Sequence, residues 1–182
     1  MDFVKLSPEE KAARERERLI DKAREMSTGT YCRKFVAPLF QRLIRAEAAA
    51  EPAWATKAVV DGEVVGVYRR VGQCVCVTCG KVDAWDSGIK GMHTGHFLAS
   101  RRNSILLVED NCEPQCSNCN FYRSGAPAEF RRWMEAVRPN CIERLEALKR
   151  TSVTFSRDDL VDMRIAFSAR LKAAELKMKG TT

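Results

Sequence analysis

Two short sequences, CVTC at residues 76–79 and CSNC at residues 116–119, contain four of the eight cysteines of this 182-residue chain. A Cys-x-x-Cys turn brings two thiolates to one side of a tight knuckle, and two such knuckles complete the tetrahedral sulfur shell that zinc accepts. The segment between them, 80–115, is longer than the roughly 15–20 residues of a simple zinc ribbon, so the knuckles are expected to hold a sizeable insert. We therefore expect a structural zinc ion bound by Cys76, Cys79, Cys116 and Cys119.

Other roles for the cysteines remain open at the level of sequence. Either pair could be redox-active, as in a thiol oxidoreductase, although the chain lacks the βαβ pattern of thioredoxins. Cys74 and Cys112 lie near the knuckles, and either could replace one of the four ligands. Cys32 and Cys141 fall in helical patterns and are expected to be small core residues.

The composition is that of one soluble domain. The chain is 45% hydrophobic and carries 31 basic and 24 acidic residues, a formal charge of +7, which excludes an intrinsically disordered chain. No segment approaches the roughly 18 consecutive apolar residues of a membrane span, and the N-terminus lacks the apolar core of a signal peptide. We expect a cytoplasmic protein with no membrane partner.

The positive charge is concentrated in the flanks. Residues 1–57 carry a net +3, residues 58–119 a net −1, and residues 120–182 a net +5. Such a distribution favours a polyanionic partner such as nucleic acid, although arginine-rich solvated helices give the same signal.

The N-terminal region, 1–57, is predicted to be helical. Ser7, Pro8 and Glu10 have the spacing of a helix N-terminus with a capping box. The polar helix that follows is expected to pack lightly. After a break at Gly29, a second helix is predicted to begin near Pro38, because proline is tolerated in the first turn.

The central region, 58–125, begins with strands, and the C-terminal region, 126–182, returns to helices. Two valine-rich runs flank Asp61-Gly62, a dipeptide that favours a two-residue hairpin turn. Apolar residues recur at helical spacing in the C-terminal region up to a break at Thr151-Ser152. Ser156 is the expected N-cap of the last helix.

Both histidines of the chain, His93 and His96, fall in the insert between the knuckles. A neutral imidazole can deprotonate water near physiological pH, and it can also bind a divalent metal. A rigid scaffold is what a reactive group requires. From the residues alone, a purely structural role for each histidine remains equally open.

The elements CVTCG, GHFLASRR and NCEPQCSNCNFYRSG resemble the phage lambda NinG (Rap) family, and more distantly the endonuclease VII and HNH (His-Me finger) nucleases. The resemblance covers Cys76 to Gly125 well and the helical tail to about residue 178 more loosely. It implies an α+β protein in which a zinc-stabilised ββα-metal (HNH-like) centre is flanked by N- and C-terminal helices. The hairpin around Asp61-Gly62 has no counterpart in the resemblance and is interpreted as a lineage-specific addition.

The resemblance also implies roles for single residues. His96 would be the general base, and Asn111 would hydrogen-bond within the loop and hold that histidine in orientation. Asn120 would bind the catalytic ion, with His93 as the best candidate for a second ligand. The lambda member has Asp at the position of His93, and Gly95 stands where HNH nucleases usually carry a ligand.

Three arginines, Arg101, Arg102 and Arg123, would contact DNA phosphates, with an ordinary surface role as the alternative. The catalytic ion would be Mg²⁺ or Mn²⁺, and an imidazole ligand at His93 favours Mn²⁺. The implied function is cleavage of branched DNA, such as Holliday junctions and D-loops, in phage recombination in the cytoplasm of the bacterial host. A homodimer would match the near two-fold symmetry of a junction.

A second function is also compatible with the sequence. A zinc-stabilised DNA-binding accessory protein of recombination, without catalytic activity, would share the knuckles and the basic flanks. The presence of His96, Asn111 and Asn120 together discriminates in favour of the nuclease, because a zinc-dependent binder has no need of all three.

Overall fold

Helices form both ends of the chain and strands lie mainly between them. The computed structural model describes residues 6–51, 56–99 and 103–180. The α-helices of these residues are α1 (Pro8–Arg24), α2 (Thr28–Tyr31), α3 (Ala37–Ala50), α4 (Asn103–Leu106), α5 (Pro127–Val137), α6 (Cys141–Arg150) and α7 (Arg157–Lys179). The strands are β1 (Thr56–Val60), β2 (Glu63–Val67), β3 (Gln73–Val75), β4 (Val82–Ala84), β5 (Met92–His96) and β6 (Cys112–Cys116). The chain is thus an α+β protein.

The strands pair in sequence order as three small antiparallel sheets, β1 with β2, β3 with β4 and β5 with β6. Shorter helical turns complete the described chain: π-helices at Cys32–Val36 and Asn118–Tyr122, and a 3₁₀-helix at Glu109–Asn111. None of the described helices is long and apolar enough to cross a membrane.

Helix α1 begins with the predicted capping box. The Ser7 hydroxyl accepts a hydrogen bond from the Glu10 amide, and the Glu10 carboxylate accepts one from the Ser7 amide. The helix packs more closely than its polar sequence suggests, since Leu19 and Ala23 are buried in a cluster with residues of α7. Arg16 pairs with Asp162 of α7 along the same contact.

The structure corrects the predicted break at Gly29 and confirms the predicted start of a helix near Pro38, since α3 begins at Ala37. Gly29 lies inside α2, and the chain leaves the helical conformation earlier, at Ser27, which caps α2. The chain is helical from Thr28 to Ala50, because the Cys32–Val36 π-helix joins α2 to α3. The wider turn lets the Ala37 amide reach the Cys32 carbonyl just before Pro38, whose ring nitrogen cannot donate.

Helix α7 connects the two ends of the chain. The Phe40 ring of α3 contacts Phe167 of α7 with 5.2 Å between centroids. Arg170 of α7 forms ion pairs with Glu47 of α3 and with Glu109. The predicted N-cap at Ser156 is confirmed, and its hydroxyl accepts from the Asp159 amide. The N-terminal and C-terminal helices therefore pack against each other.

The predicted Asp61-Gly62 turn is confirmed as a two-residue hairpin that pairs Val60 with Glu63. Both turn residues have positive φ, 49° and 86°, as the mirror-image turns of hairpins require. Strand β1 is attached on two sides: the Trp133 indole donates to the Lys57 carbonyl, and the Val59 amide donates to the Val77 carbonyl of the first knuckle. The hairpin thus links α5 to the cysteine cluster.

Candidate functional site

The four predicted cysteines converge at one point. The Sγ atoms of Cys76, Cys79, Cys116 and Cys119 all lie within 4.8 Å of one another, and those of Cys79 and Cys116 are 3.7 Å apart. Tetrahedral zinc with Zn–S bonds of about 2.3 Å requires sulfur–sulfur distances of roughly 3.8 Å. The donor set and its spacing therefore fit a structural metal such as zinc.

The first knuckle is built by backbone hydrogen bonds that turn the chain around the cysteines. The Gly80 amide donates to the Cys76 carbonyl, and the Cys76 amide donates to the Lys81 carbonyl. Gly80 has a φ of 74°, and a Cβ there would lie 2.6 Å from the Val60 side chain. Glycine is therefore required by both the turn and the close approach of the β1–β2 hairpin.

The thiols of Cys76, Cys79 and Cys119 do not ionise independently. A hydrogen bond from Cys79, with help from the Thr78 hydroxyl, lowers the pKa of Cys76 to about 5. The same bond raises the pKa of Cys79, and burial raises that of Cys119. A cluster of buried thiolates needs a cation to carry their combined charge, which is what a divalent metal supplies.

Cys74 and Cys112, considered as alternative ligands, lie outside the four-cysteine group. The Cys74 thiol donates to the Arg45 carbonyl, and burial raises its pKa to about 12. Burial also raises the pKa of Cys112. Among the described residues, the possible metal group consists of the four predicted cysteines.

The strand pair β5–β6 carries both histidines and leads into the second knuckle. Its register pairs His96 with Cys112, Gly95 with Glu113 and His93 with Gln115. The Asn118–Tyr122 π-helix follows directly after β6. His93 and His96 therefore lie on β5, Asn111 lies in the 3₁₀-helix just before β6, and Asn120 lies in the short helix after it.

His96, at the end of β5, is half-buried and held by one ring nitrogen. Its Nε2 atom lies 3.3 Å from the carbonyl oxygen of Leu106. A carbonyl can only accept, so Nε2 carries the hydrogen and Nδ1 keeps the lone pair. Burial lowers the pKa of His96, opposed by the hydrogen bond to Leu106. The imidazole is consequently neutral at pH 7, with Nδ1 as its basic atom.

Asn111 is fully buried and joins the two ends of the loop after His96. Its Oδ1 accepts from the Leu98 amide at 2.8 Å, while its Nδ2 donates to the carbonyls of Leu98 at 3.2 Å and Ile105 at 3.1 Å. Its backbone carbonyl accepts from the Phe97 amide. The side chain thereby fixes the chain just after His96 and just before Leu106, whose carbonyl contacts the His96 ring.

His93 and His96 lie on opposite faces of β5, because successive side chains of a strand alternate. His93 shares its face with Gly95, and its ring contacts Phe121 of the Asn118–Tyr122 helix at 4.7 Å between centroids. The Nε2 atom of His93 donates to the Ile89 carbonyl at 2.7 Å, which leaves Nδ1 with a lone pair. The structure therefore brings His93 to the helix that carries Asn120 and separates it from His96.

The remaining predicted residues are in different situations. Asn120 is partly exposed and directly follows the last cysteine of the knuckle. Arg123 forms an ion pair with Glu129, and its Nη1 atom lies 3.9 Å from the Cys119 sulfur. Its guanidinium therefore lies beside the second knuckle. Arg101 and Arg102 lie outside the described residues.

Gln115 is a site residue that the sequence analysis missed. Its Nε2 donates to the Thr78 hydroxyl, which contacts the Cys76 sulfur, and to the Gly125 carbonyl. Its fully buried Oε1 has no hydrogen-bond partner and lies 1.9 Å from where a Cβ on Gly95 would be. Gln115 therefore occupies the space in front of Gly95, which explains why the residue before His96 has no side chain.

Comparison with known proteins gives one match. The family model described as Bacteriophage Lambda NinG protein matches residues 56–177. No curated protein and no solved structure matches the chain. The matched range includes the β1–β2 hairpin, so its interpretation as a lineage-specific addition was wrong. A family match over two thirds of the sequence, including all four clustered cysteines, shows that the chain belongs to the bacteriophage lambda NinG family.

Proposed function

We propose that this protein is a metal-dependent endonuclease that cleaves branched recombination intermediates, such as Holliday junctions and D-loops. The observation that carries the proposal is the state of His96. Its Nε2–H is engaged by the Leu106 carbonyl and its Nδ1 carries the lone pair, while burial keeps the ring neutral. That is the arrangement a general base requires.

The chemistry is phosphodiester hydrolysis. The Nδ1 atom of His96 takes a proton from the attacking water, and Asn111 keeps the ring in place through the loop that it pins. A divalent ion, Mg²⁺ or Mn²⁺, would neutralise charge on the phosphate and stabilise the leaving 3′ oxygen. Asn120 and the Nδ1 atom of His93 remain the predicted donors for this ion beside the second knuckle, although His93 lies on the face of β5 opposite His96. The Nε2–H of His93 donates to the Ile89 carbonyl, as the second nitrogen of a metal-bound histidine usually does.

The family match and the charge distribution support the proposed substrate, and the symmetry of a junction supports the proposed assembly. The NinG match favours a role in phage recombination in the host cytoplasm, where reduced cysteines remain available to zinc. In this proposal residues 58–125 are the nuclease core, the basic flanks hold DNA, and Arg101, Arg102 and Arg123 would contact the phosphates that flank the cut. A homodimer would deliver the two symmetric cuts that a four-way junction needs. Light scattering on the junction complex should give two chains per junction.

The deciding experiment compares wild-type protein with His96→Ala on a four-way junction, a D-loop and a linear duplex in Mg²⁺ and in Mn²⁺. We expect His96→Ala to slow junction cleavage roughly 100-fold or more, because general-base catalysis contributes at least that much. Junction affinity should stay unchanged. Cleavage by His96→Ala at the wild-type rate would refute the assignment of His96 as general base. If the wild-type protein binds the junction without cleaving it, the non-catalytic accessory function is favoured.

The matched variant is His93→Gln. If His93 binds the catalytic ion, its loss should raise the Mn²⁺ concentration needed for half-maximal cleavage, and excess Mn²⁺ should restore the rate. Excess metal should not rescue His96→Ala. A His93→Gln protein with unchanged metal dependence would remove His93 from the ligand set.

A further inference from the structure

A cleft of about 580 Å³ opens beside the loop that follows His96. Its walls are Leu98 from that loop, Arg131 from α5, and Glu146, Lys149 and Arg150 from α6. At about 30 Å³ per water molecule, it has room for roughly 20 waters. A space of this size, lined mainly by charged side chains, suits a hydrated, charged ligand.

The charge of the cleft is predominantly positive. Three basic side chains line it against one acidic side chain, Glu146, which pairs with Arg131 at 3.2 Å. Lys149 and Arg150 lie in the last turn of α6 and are exposed. The described lining of the cleft therefore carries a net positive charge, which matches a polyanion. Part of the basic character of the C-terminal flank lies here.

The cleft is rigidly attached to the candidate catalytic strand. Leu98 is two residues after His96, and both its amide and its carbonyl are bonded to the Asn111 side chain. The intervening Phe97 packs edge-on against Phe130 and lies under the Arg131 guanidinium, 5.4 Å from it. The Cα atoms of residues two apart in the chain are at most about 7 Å apart, which is roughly the axial rise of two nucleotides of one DNA strand.

We propose that this cleft, formed by Leu98, Arg131, Lys149 and Arg150, binds the sugar-phosphate backbone of DNA adjacent to the cut site. The inference rests on the proposed nuclease function and adds the surface along which the strand leaves His96. Lys149 and Arg150 contact phosphates there, and Arg131 defines the wall between that surface and Phe97.

The test measures junction binding by the double variant Lys149→Gln/Arg150→Gln. Binding is followed by fluorescence anisotropy of a labelled four-way junction over a series of salt concentrations. Every protein also carries His96→Ala, so that the DNA stays intact. The control, Arg70→Gln/Lys90→Gln, removes two exposed charges from the near-neutral region 58–119, so the two double variants have the same net charge. Thermal melting checks that all variants fold.

Loss of two phosphate contacts should lower the slope of log affinity against log salt by roughly 2 and weaken binding about tenfold or more at 0.15 M salt. The control in region 58–119 should keep the slope of the parent. Equal slopes for the two double variants would overturn the inference, as would a parent that does not bind the junction. If the double variant weakens binding but the wild-type protein does not cleave the junction, the cleft still binds DNA and only the nuclease function is refuted.

Discussion

The His96 ring is oriented by its neighbours before any substrate arrives. The Leu106 carbonyl determines which nitrogen carries the hydrogen. The hydrogen bonds of Asn111 hold Leu98, two residues after His96, and Ile105, directly before Leu106. A correctly protonated base that needs no reorientation reduces the cost of reaching the transition state. The two residues therefore act as one unit, and each has a measurable consequence.

The depressed pKa of His96 predicts how activity and stability depend on pH. In the unfolded chain this histidine titrates near 6.5, and burial lowers its pKa in the folded protein. Below pH 6.5 the unfolded state therefore binds more protons, so the free energy of unfolding should fall as the pH is lowered, and less so in His96→Phe. Urea unfolding between pH 5 and 8 measures this difference.

The pH dependence of the cleavage rate should also reflect the ionisation of His96. The acid limb of the rate profile should have its midpoint below pH 6.5, because the base stays neutral to lower pH than a free histidine. A midpoint at or above 6.5 would contradict the burial argument.

Asn111→Ala should destabilise the protein by about 2–4 kcal/mol. The substitution removes three hydrogen bonds and leaves buried backbone groups of Leu98 and Ile105 without partners. The matched control is Asn103→Ala, since Asn103 makes one exposed hydrogen bond, to the Val153 carbonyl, and its loss should cost less than 1 kcal/mol. Urea denaturation of both variants gives the comparison, and equal losses would show that the Asn111 bonds do not hold the loop.

The β5–β6 pair is held in place by side-chain contacts with the first cysteine knuckle. The Gln115 side chain of β6 covers Gly95 of β5. It donates to the Thr78 hydroxyl, which in turn contacts the sulfur of Cys76. The strand that carries His96 is thereby linked to the first knuckle by a continuous chain of side-chain contacts. The packing of this pair depends on a glycine and a glutamine that fit only together.

Gly95→Ala should cost about 1–3 kcal/mol, because the new Cβ would collide with a buried Gln115 amide that is bonded to Thr78 and Gly125. Gln115→Ala removes the obstacle, so the double variant should be more stable than the sum of the two single effects predicts. A double-mutant cycle by urea unfolding measures this coupling. Strict additivity would mean that the strands move apart to accommodate the methyl group.

The cysteine cluster joins parts of the chain that are distant in sequence. Cys76 and Cys79 follow β3. Cys116 is the last residue of β6, and Cys119 lies in the Asn118–Tyr122 helix. The β1–β2 hairpin and α3 also pack around the cluster or its knuckles. Metal binding should therefore stabilise the central part of the molecule, and through α3 and α7 the helices at both ends.

Cys76→Ser should abolish the binding of one zinc per chain and lower the melting temperature by roughly 10 °C or more, because the binding energy of a structural metal contributes to folding. Cys141→Ser is the matched control, since Cys141 lies outside the cluster. It should retain one zinc per chain by atomic absorption. Zinc bound at full stoichiometry by Cys76→Ser would exclude the four-cysteine site.

Local features were predictable because their signals are short in range. The capping residues Ser7 and Ser156, the Asp61-Gly62 turn and the two Cys-x-x-Cys pairs each depend on neighbouring residues in the chain. The helix boundary near Gly29 was not predictable in this way, because the π-helix that continues the chain depends on packing against α7. Gln115 escaped notice for the same reason: its importance lies in contacts with Thr78 and Gly125.

The sequence by itself determined the α+β class, the four-cysteine metal group and membership of the NinG family, since each follows from spacing or motif. Only the tertiary structure decided which ring nitrogen of His96 is basic, that His93 lies on the other face of β5, and that Gln115 fills the space before Gly95. These features depend on contacts between segments far apart in the chain, and such contacts exist only after the knuckles and the helices have packed.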